Sequence, residues 1–319
     1  MKKARIIVLI GPTAVGKTSL SLALAKRLDA EIVSGDSMLF YRGFDIGAAK
    51  PTKEERSVVP HHFVDVLAPE ASFNVMDFQR LARETIERIR ARGKLPLVVG
   101  GTGLYIKSLL EGYIFNETSS DDTYREELEA LAKERGKAFV HGLLQKADPE
   151  TAARLHVNDF RRVVRALEVA SSGRERISMR RESEPGELFY DAYVAGLRRE
   201  RPELYGRIEE RVDAMVAAGF AEEVQSLLAQ GVRADCQAMK GIGYKEMLAY
   251  LAGSMELPHA VAEIKKATRR FAKRQITWFR KMPYVHWYAA SQGEELLLEK
   301  ICTDIRRSFH AGKTAQFAG

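Results

Sequence analysis

Cysteine is almost absent from this chain: Cys236 and Cys302 are the only two in 319 residues. That excludes a disulfide framework and any Cys-x-x-Cys zinc site, and it favours a reducing, cytosolic compartment. No apolar run approaches the ~20 residues needed to span a bilayer. The N-terminal MKKARIIVLIGPT sets lysines ahead of an apolar stretch, but that stretch runs at once into a glycine turn and reads as a strand, not a leader. There is no internal repeat and no low-complexity tract. Acid is also missing where a phosphate-loop ATPase would carry it. LPLVVG (Leu95–Gly100) ends in glycine and FYDAYVAGL (Phe189–Leu197) stops before Arg198-Arg199, so no strand other than EIVSGD (Glu31–Asp36) ends in an acidic residue. What remains has the makeup of an ordinary globular protein, 45% hydrophobic and 29% charged. Its net charge of +7 is a modest pointer to a polyanionic partner.

The strongest feature begins at residue 5. RIIVLI (Arg5–Ile10) is followed by GPTAVGKT (Gly11–Thr18) and then by the helix-forming SLSLALAKRL (Ser19–Leu28). Strand, Gly-x-x-x-x-Gly-Lys-Thr and helix, in that order, are what a phosphate-binding loop requires. Gly11 and Gly16 let the backbone of Pro12, Thr13, Ala14 and Val15 curl so that N–H groups face phosphate oxygens, and the helix adds the positive end of its dipole. Lys17 is placed to reach the terminal phosphates and Thr18 to offer a hydroxyl to Mg²⁺. The ligand is a di- or triphosphate; the loop does not say whether it is a nucleotide.

Further strands are expected at EIVSGD (Glu31–Asp36), HHFVDVL (His61–Leu67) and LPLVVG, with a long amphipathic helix capped by Asn74 and running to Arg92. Strands alternating with helices make an α/β fold, a P-loop-containing, doubly wound parallel sheet core. From Ser119 to about Arg181 the patterns are helical, charged and without a convincing strand. The expected division is therefore a core of residues 1–118 and 188–319 with an all-helical insertion domain at 119–187. Helices are expected over Pro202–Gly231, Tyr244–Leu251 and Pro258–Lys281, then a short strand containing Trp287 and Tyr288, then a frayed tail from His310.

Asp36 closes the second strand on the edge that carries the phosphate loop, where ligands of doubly wound folds sit. It can serve as a general base, hold Mg²⁺ through water, or simply order a turn between Gly35 and Ser37. Gly100-Gly101-Thr102-Gly103 offers N–H groups and a hydroxyl on the same edge, or a plain helix-start turn. His61 and His62 are neighbours on a strand, pointing to opposite faces, and suit packing better than metal. IKKATRRFAKRQITWFRK (Ile264–Lys281) holds eight Lys or Arg and no acid. Lys266, Arg269, Arg270, Lys273 and Arg280 fall broadly on one face, with Ala267, Phe271 and Trp278 on another, a pattern that fits nucleic-acid backbone binding. FRRVVR (Phe160–Arg165) is a second basic cluster, and two such elements in two lobes suggest a clamp. On these residues alone, a small-molecule or nucleotide kinase that binds ATP and an RNA-binding nucleotide switch both stay open.

The ordered set GPTAVGKT, DSMLFYRGFDIGAAKPT, PHHFVD, GGTGLY, HVNDFRRVVRALEV, RVDAMVAAGF, GIGYKE and AKRQITWFRK resembles the bacterial tRNA dimethylallyltransferase (tRNA isopentenyltransferase) family from residue 11 to about 281. The resemblance implies transfer of a dimethylallyl group from dimethylallyl diphosphate to N6 of the adenosine at tRNA position 37, 3′ of the anticodon, with Mg²⁺. It implies that Asp36 is the base, that Thr13 stands at the oxygen bridging carbon and diphosphate, and that Arg211 of the RVD motif contacts the diphosphate. It assigns tRNA contacts to Asp36, Ser37, Met38 and Leu39, to Thr102, and to Phe160, Arg161, Arg162, Val163 and Val164. It assigns others to Gly241, Ile242, Gly243, Tyr244, Lys245 and Glu246, and to Lys273, Arg274 and Gln275. The insertion is then expected to grip the anticodon stem-loop, and the chain to act as a cytoplasmic monomer with no membrane partner. Leu39 stands where the family commonly has Gln, and Val157 where it frequently has Pro.

Overall fold

The computed structural model describes residues 3–115, 122–171, 180–181 and 187–314. Its chain divides into two compact units, Met1–Glu111 with Pro185–Gly319, and Gly112–Glu184. The first unit opens with β1 (Arg5–Ile10), α1 (Lys17–Leu28), β2 (Ala30–Ser34), α2 (Lys53–Val58), β3 (His61–His62), α3 (Val75–Ala91), β4 (Leu95–Gly100) and α4 (Gly103–Glu111). The second holds β5 (Tyr113–Ile114), α5 (Asp122–Arg135), α6 (Lys137–Ala147), α7 (Pro149–Arg154), α8 (Phe160–Ser171) and β6 (Arg180–Arg181). The first then resumes with β7 (Asp191–Arg198), α9 (Arg201–Ala217), α10 (Phe220–Ala229), a 3₁₀ turn (Ala238–Lys240), α11 (Tyr244–Leu251), α12 (Leu257–Phe279), β8 (Val285–Ala289) and α13 (Glu294–Thr314).

Six strands form one sheet in the order β3-β2-β4-β1-β7-β8, every pairing parallel. β1 lies between β4 and β7, so the loop leaving its carboxyl end stands mid-edge, where an α/β sheet binds ligand. Its period of two decides both faces. Ile7 and Leu9 pack with Leu20 and Leu24 of α1 and Leu297 and Ile301 of α13, while Ile6, Val8 and Ile10 pack with Phe78 and Ile86 of α3 and Ile106 of α4. A third apolar cluster joins α9, α10, α11 and α12 around Phe220, Val224, Tyr244 and Ile264 and takes in Tyr41 and Phe44 of the segment after β2.

The structure amends several expectations. The third strand stops at His62, because Phe63 (φ 68°) and Asp65 (φ 58°) turn into the left-handed region. Lys50 holds that turn: its Nζ donates to Asp65 Oδ1 at 2.5 Å, to Asp45 Oδ1 at 2.7 Å and to the Tyr41 carbonyl at 2.5 Å. The helical stretch expected over 202–231 consists of two helices that meet at Ala218–Gly219. The tail from His310 is the end of α13, helical to Thr314 and unforeseen as a helix; residues 315–319 lie outside the described residues. The long helix with an Asn74 cap is there, and the Asn74 side chain accepts from Met76 N and Asp77 N.

Within the second unit, α5, α6, α7 and α8 pack around Leu128, Val140, Leu144, Val163 and Leu167. This unit is not wholly helical, since β5 and β6 pair antiparallel through Tyr113–Arg181 and Ile114–Arg180. A two-residue pairing is too short to show periodicity in a sequence. The unit also begins at Gly112, before the change of composition that suggested residue 119.

Candidate active site

The phosphate loop takes shape from its own sequence. Gly16 (φ 107°) and Ala14 (φ 62°) both occupy the left-handed region, which costs glycine little and alanine more, so the loop needs support from outside. It has that support. Arg207 Nε donates to the Ala14 carbonyl at 2.9 Å, Arg199 Nε donates to the Val15 carbonyl at 3.0 Å, and Arg199 itself pairs with Glu203. Val15 is buried in the sheet core. The Lys17 ammonium donates to the carbonyls of Gly11 (3.0 Å) and Pro12 (2.8 Å).

A cavity of about 550 Å³ opens over this loop. Thr13, Ala14, Gly16, Lys17 and Thr18 line it from the loop, Asp36 from the end of β2, and Arg211 from α9. Gly11, Pro12 and Val15 are not among the residues that line it. The charges feel one another. Burial lowers the Lys17 pKa to about 8; Asp36 opposes that shift and Arg211 adds to it. Burial likewise lowers Arg211, with Asp36 acting against it. Asp36 is thus the carboxylate that both Lys17 and Arg211 feel, while Glu55, Arg207 and Glu210 also line the cavity. Part of the wall is apolar, made by Ile32, Leu39, Ala48, Ala49, Pro51 and Val64.

Asp36 is held by its own turn, Oδ1 accepting from Met38 N at 3.2 Å. That turn is tied to the GGTG turn: Ser37 N donates to Thr102 Oγ1 at 3.3 Å and Thr102 N to the Gly35 carbonyl at 3.3 Å. A Cβ on Gly100 would overlap the Gly35 backbone, so the two strand ends approach as closely as chains can.

Comparison with known proteins decides the family. An IPP transferase family model matches residues 39–282, and an isopentenyl transferase model matches residues 4–67. The chain belongs to the IPP transferase family. It is 50% identical over 295 residues to a tRNA dimethylallyltransferase of Bacillus anthracis, covering 92% of this chain and 94% of that one. Its structure is similar to the full-length tRNA isopentenylpyrophosphate transferase of Bacillus halodurans, with a TM-score of 0.74 and 42% identity over 99% and 100% of the two chains. It is similar also to a eukaryotic dimethylallyltransferase described as acting on tRNA, with a TM-score of 0.75 and 28% identity over 91% and 75%.

The transferase sorts the expected RNA-contacting residues into outward and inward ones. On α12, Lys273 and Arg274 are exposed, whereas Gln275 is only 4% exposed. The buried stripe of that helix is Ala260, Ile264, Ala272, Gln275 and Phe279, not Ala267, Phe271 and Trp278, which are half-buried. Three of its cations are already paired: Lys265 with Asp213 (2.7 Å), Lys266 with Glu263 (2.7 Å) and Arg269 with Glu209 (2.6 Å). Arg270, Lys273, Arg274, Arg280 and Lys281 have no carboxylate at ion-pair distance among the described residues. In the second unit Arg161 and Arg162 are exposed, Phe160 is half-buried, and Val163 and Val164 belong to the core. In 241–246, Lys245 faces solvent and Gly241 and Ile242 are half-buried, while Gly243, Tyr244 and Glu246 are inside. Glu246 accepts from Gly243 N at 2.8 Å and so starts α11. Met38 packs beneath Gly241.

Sequence reasoning missed Glu223. Its carboxylate accepts from the backbone N–H of Asp45 (2.8 Å), Ile46 (2.5 Å) and Gly47 (3.2 Å) and from the Tyr244 hydroxyl (2.8 Å). It thus fixes the strap whose Ala48, Ala49 and Pro51 form the apolar wall. His61 also lines the cavity. Its Nδ1 lies 2.9 Å from the Val59 carbonyl, which can only accept, so the proton sits on Nδ1. Burial holds its pKa below the ordinary value. His62 instead meets Glu31 Oε2 at 2.7 Å. Two adjacent histidines gave no sign of which one the cavity would receive.

Proposed function

We propose that this chain transfers the dimethylallyl group of dimethylallyl diphosphate to N6 of a tRNA adenosine, the one at position 37 beside the anticodon. The observation that carries this reading is the composition of one cavity: a phosphate loop with Lys17 and Arg211, the carboxylate of Asp36 acting on both cations, and an apolar stretch of wall. A diphosphate with a short branched hydrocarbon matches those surfaces, and no acid ends β4 as an ATP-hydrolysing site would require. The adenosine must leave the anticodon-loop stack to reach the cavity.

In this reading N6 attacks the prenyl carbon bonded to oxygen, the carbon–oxygen bond breaks, and diphosphate leaves. Asp36 accepts the N6 proton. Lys17, Arg211, the loop N–H groups and the hydroxyl of Thr13 stabilise charge as it moves onto the bridging oxygen. Mg²⁺ fits the donors present. Thr18 is exposed at the mouth of the cavity and Asp36 shares it, while no group of three or more His, Cys, Asp or Glu gathers among the described residues. That is a poor site for a metal held by protein alone and a suitable one for a hydrated Mg²⁺ held largely by a diphosphate. Bound there, it would neutralise leaving-group charge. Of the expected tRNA-contacting residues, Arg161, Lys273 and Arg274 are exposed cations free to meet tRNA phosphates, while Arg162 and Lys245 are exposed but paired with Asp159 and Glu246. No helix among the described residues is long and apolar enough to cross a membrane.

Labelled dimethylallyl diphosphate, unmodified tRNA and Mg²⁺, without ATP, test the proposal directly. Label on an adenosine next to the anticodon supports it. No label in tRNA, with ATP consumed when it is added, would replace it with a kinase.

A further inference from the structure

Gln275 is a neutral side chain sealed inside a helix that is otherwise a source of surface cations. At 4% exposure its carboxamide must find partners in the protein, because a buried amide left unpaired loses its water without replacement. Both partners are backbone groups of the active-site edge. Thr13 N donates to Gln275 Oε1 at 2.9 Å, and Gln275 Nε2 donates to the Gly101 carbonyl at 2.9 Å. The chemistry fixes which end of the amide is which, since an N–H needs an acceptor and a carbonyl needs a donor. Gly101 leaves the space; a Cβ there would collide with Nε2.

The Thr13 N–H belongs to the same peptide unit as the Pro12 carbonyl. In a trans peptide those two groups point in opposite directions. Held on one side by Gln275, the unit aims its carbonyl at the Lys17 ammonium, 2.8 Å away. Its N–H is committed to Gln275 rather than to a ligand, so this peptide is framework for the loop and not part of the phosphate cradle. With Arg207 on Ala14 and Arg199 on Val15, three successive loop residues are fixed from outside, and Gln275 alone is reached from the basic helix.

We infer that Gln275 is a positioning residue which locks the Pro12–Thr13 peptide against the Gly101 turn, presenting Thr13 and Lys17 to the diphosphate. It joins the phosphate loop, the GGTG turn and α12 through one amide. The helix that offers Lys273 and Arg274 to solvent therefore shares a rigid connection with the atoms that hold the leaving group. The inference rests on the proposed diphosphate site, and the wild-type protein is its control. If the wild type does not bind diphosphate, the reading of the site fails; the strut is judged only against a wild type that does.

Two variants test it. Gln275→Leu keeps the volume and removes both bonds. Titration of inorganic diphosphate with Mg²⁺, in the absence of tRNA, should show affinity at least tenfold below wild type, while tRNA affinity stays within twofold. Gln275→Glu carries a sharper signature. Its neutral carboxyl reproduces the amide, one oxygen accepting from Thr13 and one hydroxyl donating to Gly101, whereas its carboxylate would face the Gly101 carbonyl and repel it. Its kcat/KM relative to wild type should therefore rise several-fold from pH 8.5 to pH 6. Taking the ratio removes the titrations that both proteins share, that of Lys17 among them. Wild-type diphosphate binding by the Leu variant with weakened tRNA binding would overturn the inference and make Gln275 an RNA contact. If the Leu variant does not fold, the Glu variant decides alone: a ratio that rises on acidification upholds the strut, and a flat ratio rejects it.

Discussion

The phosphate loop and the basic helix both announce themselves as binding elements, but they work through different parts of the chain. In Gly11–Thr18 the backbone forms the site, so a contiguous motif yields a contiguous feature, and Thr13, Ala14, Gly16, Lys17 and Thr18 all reach one cavity. In α12 the side chains matter, and a helix turns each residue about 100° from the last. Neighbours therefore part company: Lys273 and Arg274 face water while Gln275 faces the loop. A family motif drawn as a block along such a helix mixes contacts with the framework that positions them.

The largest effect belongs on the loop side of that comparison. Asp36→Asn keeps an oxygen for Met38 N and removes only the proton acceptor. Its single-turnover transfer rate should fall about 10²–10⁴-fold with little change in diphosphate affinity, the usual size of a lost general base. A rate within a few-fold of wild type would shift Asp36 from chemistry to turn formation. Gly100→Ala comes next. Its Cβ would meet the Gly35 backbone, which has no side chain to swing away, so thermal denaturation should show a loss of about 1–3 kcal/mol or more. Both strand ends move if it folds, and transfer should fall with stability.

On the helix side the contrast is between free and paired cations. Lys273→Ala with Arg274→Ala should weaken tRNA binding roughly uniformly across sequences and reduce the slope of log affinity against log salt by about 2, near 1 for each phosphate contact. Lys265→Ala and Arg269→Ala remove charges already engaged by Asp213 and Glu209, and should change the slope by less. Equal slopes for both pairs would mean that the ion pairs open on binding. Transfer at saturating tRNA should be unaltered by the first pair, which separates these residues from Gln275.

This division also explains what could be read from the sequence. The sheet was legible because β1 and β4 are apolar runs whose inner faces alternate, and the loop because its glycines and Lys17 sit at fixed spacing. α13 was legible in principle, since Leu297, Leu298, Ile301, Cys302 and Ile305 repeat at helical spacing behind Glu294 and Glu295. The basic charge ahead of it and the polar tail behind it masked that pattern. Glu223 could not be found this way. Its role depends on three N–H groups about 180 residues upstream that converge only in the folded chain. Gln275 was hidden for the opposite reason: its basic neighbours lent it a surface role that its burial denies.

The smallest effect concerns protons, and it separates the two regions by a different variable. With its pKa lowered to about 8 by burial, Lys17 is about half neutral at pH 8 in the free protein. A bound diphosphate favours the ammonium form and raises that pKa, so binding at pH 8 should take up about half a proton, and almost none at pH 6. Calorimetry in two buffers of different ionisation enthalpy measures this uptake. Diphosphate affinity should accordingly decline as pH rises through 8. The ligand's own last proton is lost on binding and carries the opposite sign, so it cannot imitate the effect. Lys17→Arg, whose guanidinium remains charged, should abolish the uptake. If uptake persists in that variant, the proton enters through another group at the cavity, and His61, the remaining neutral base in its lining, is the residue to replace next.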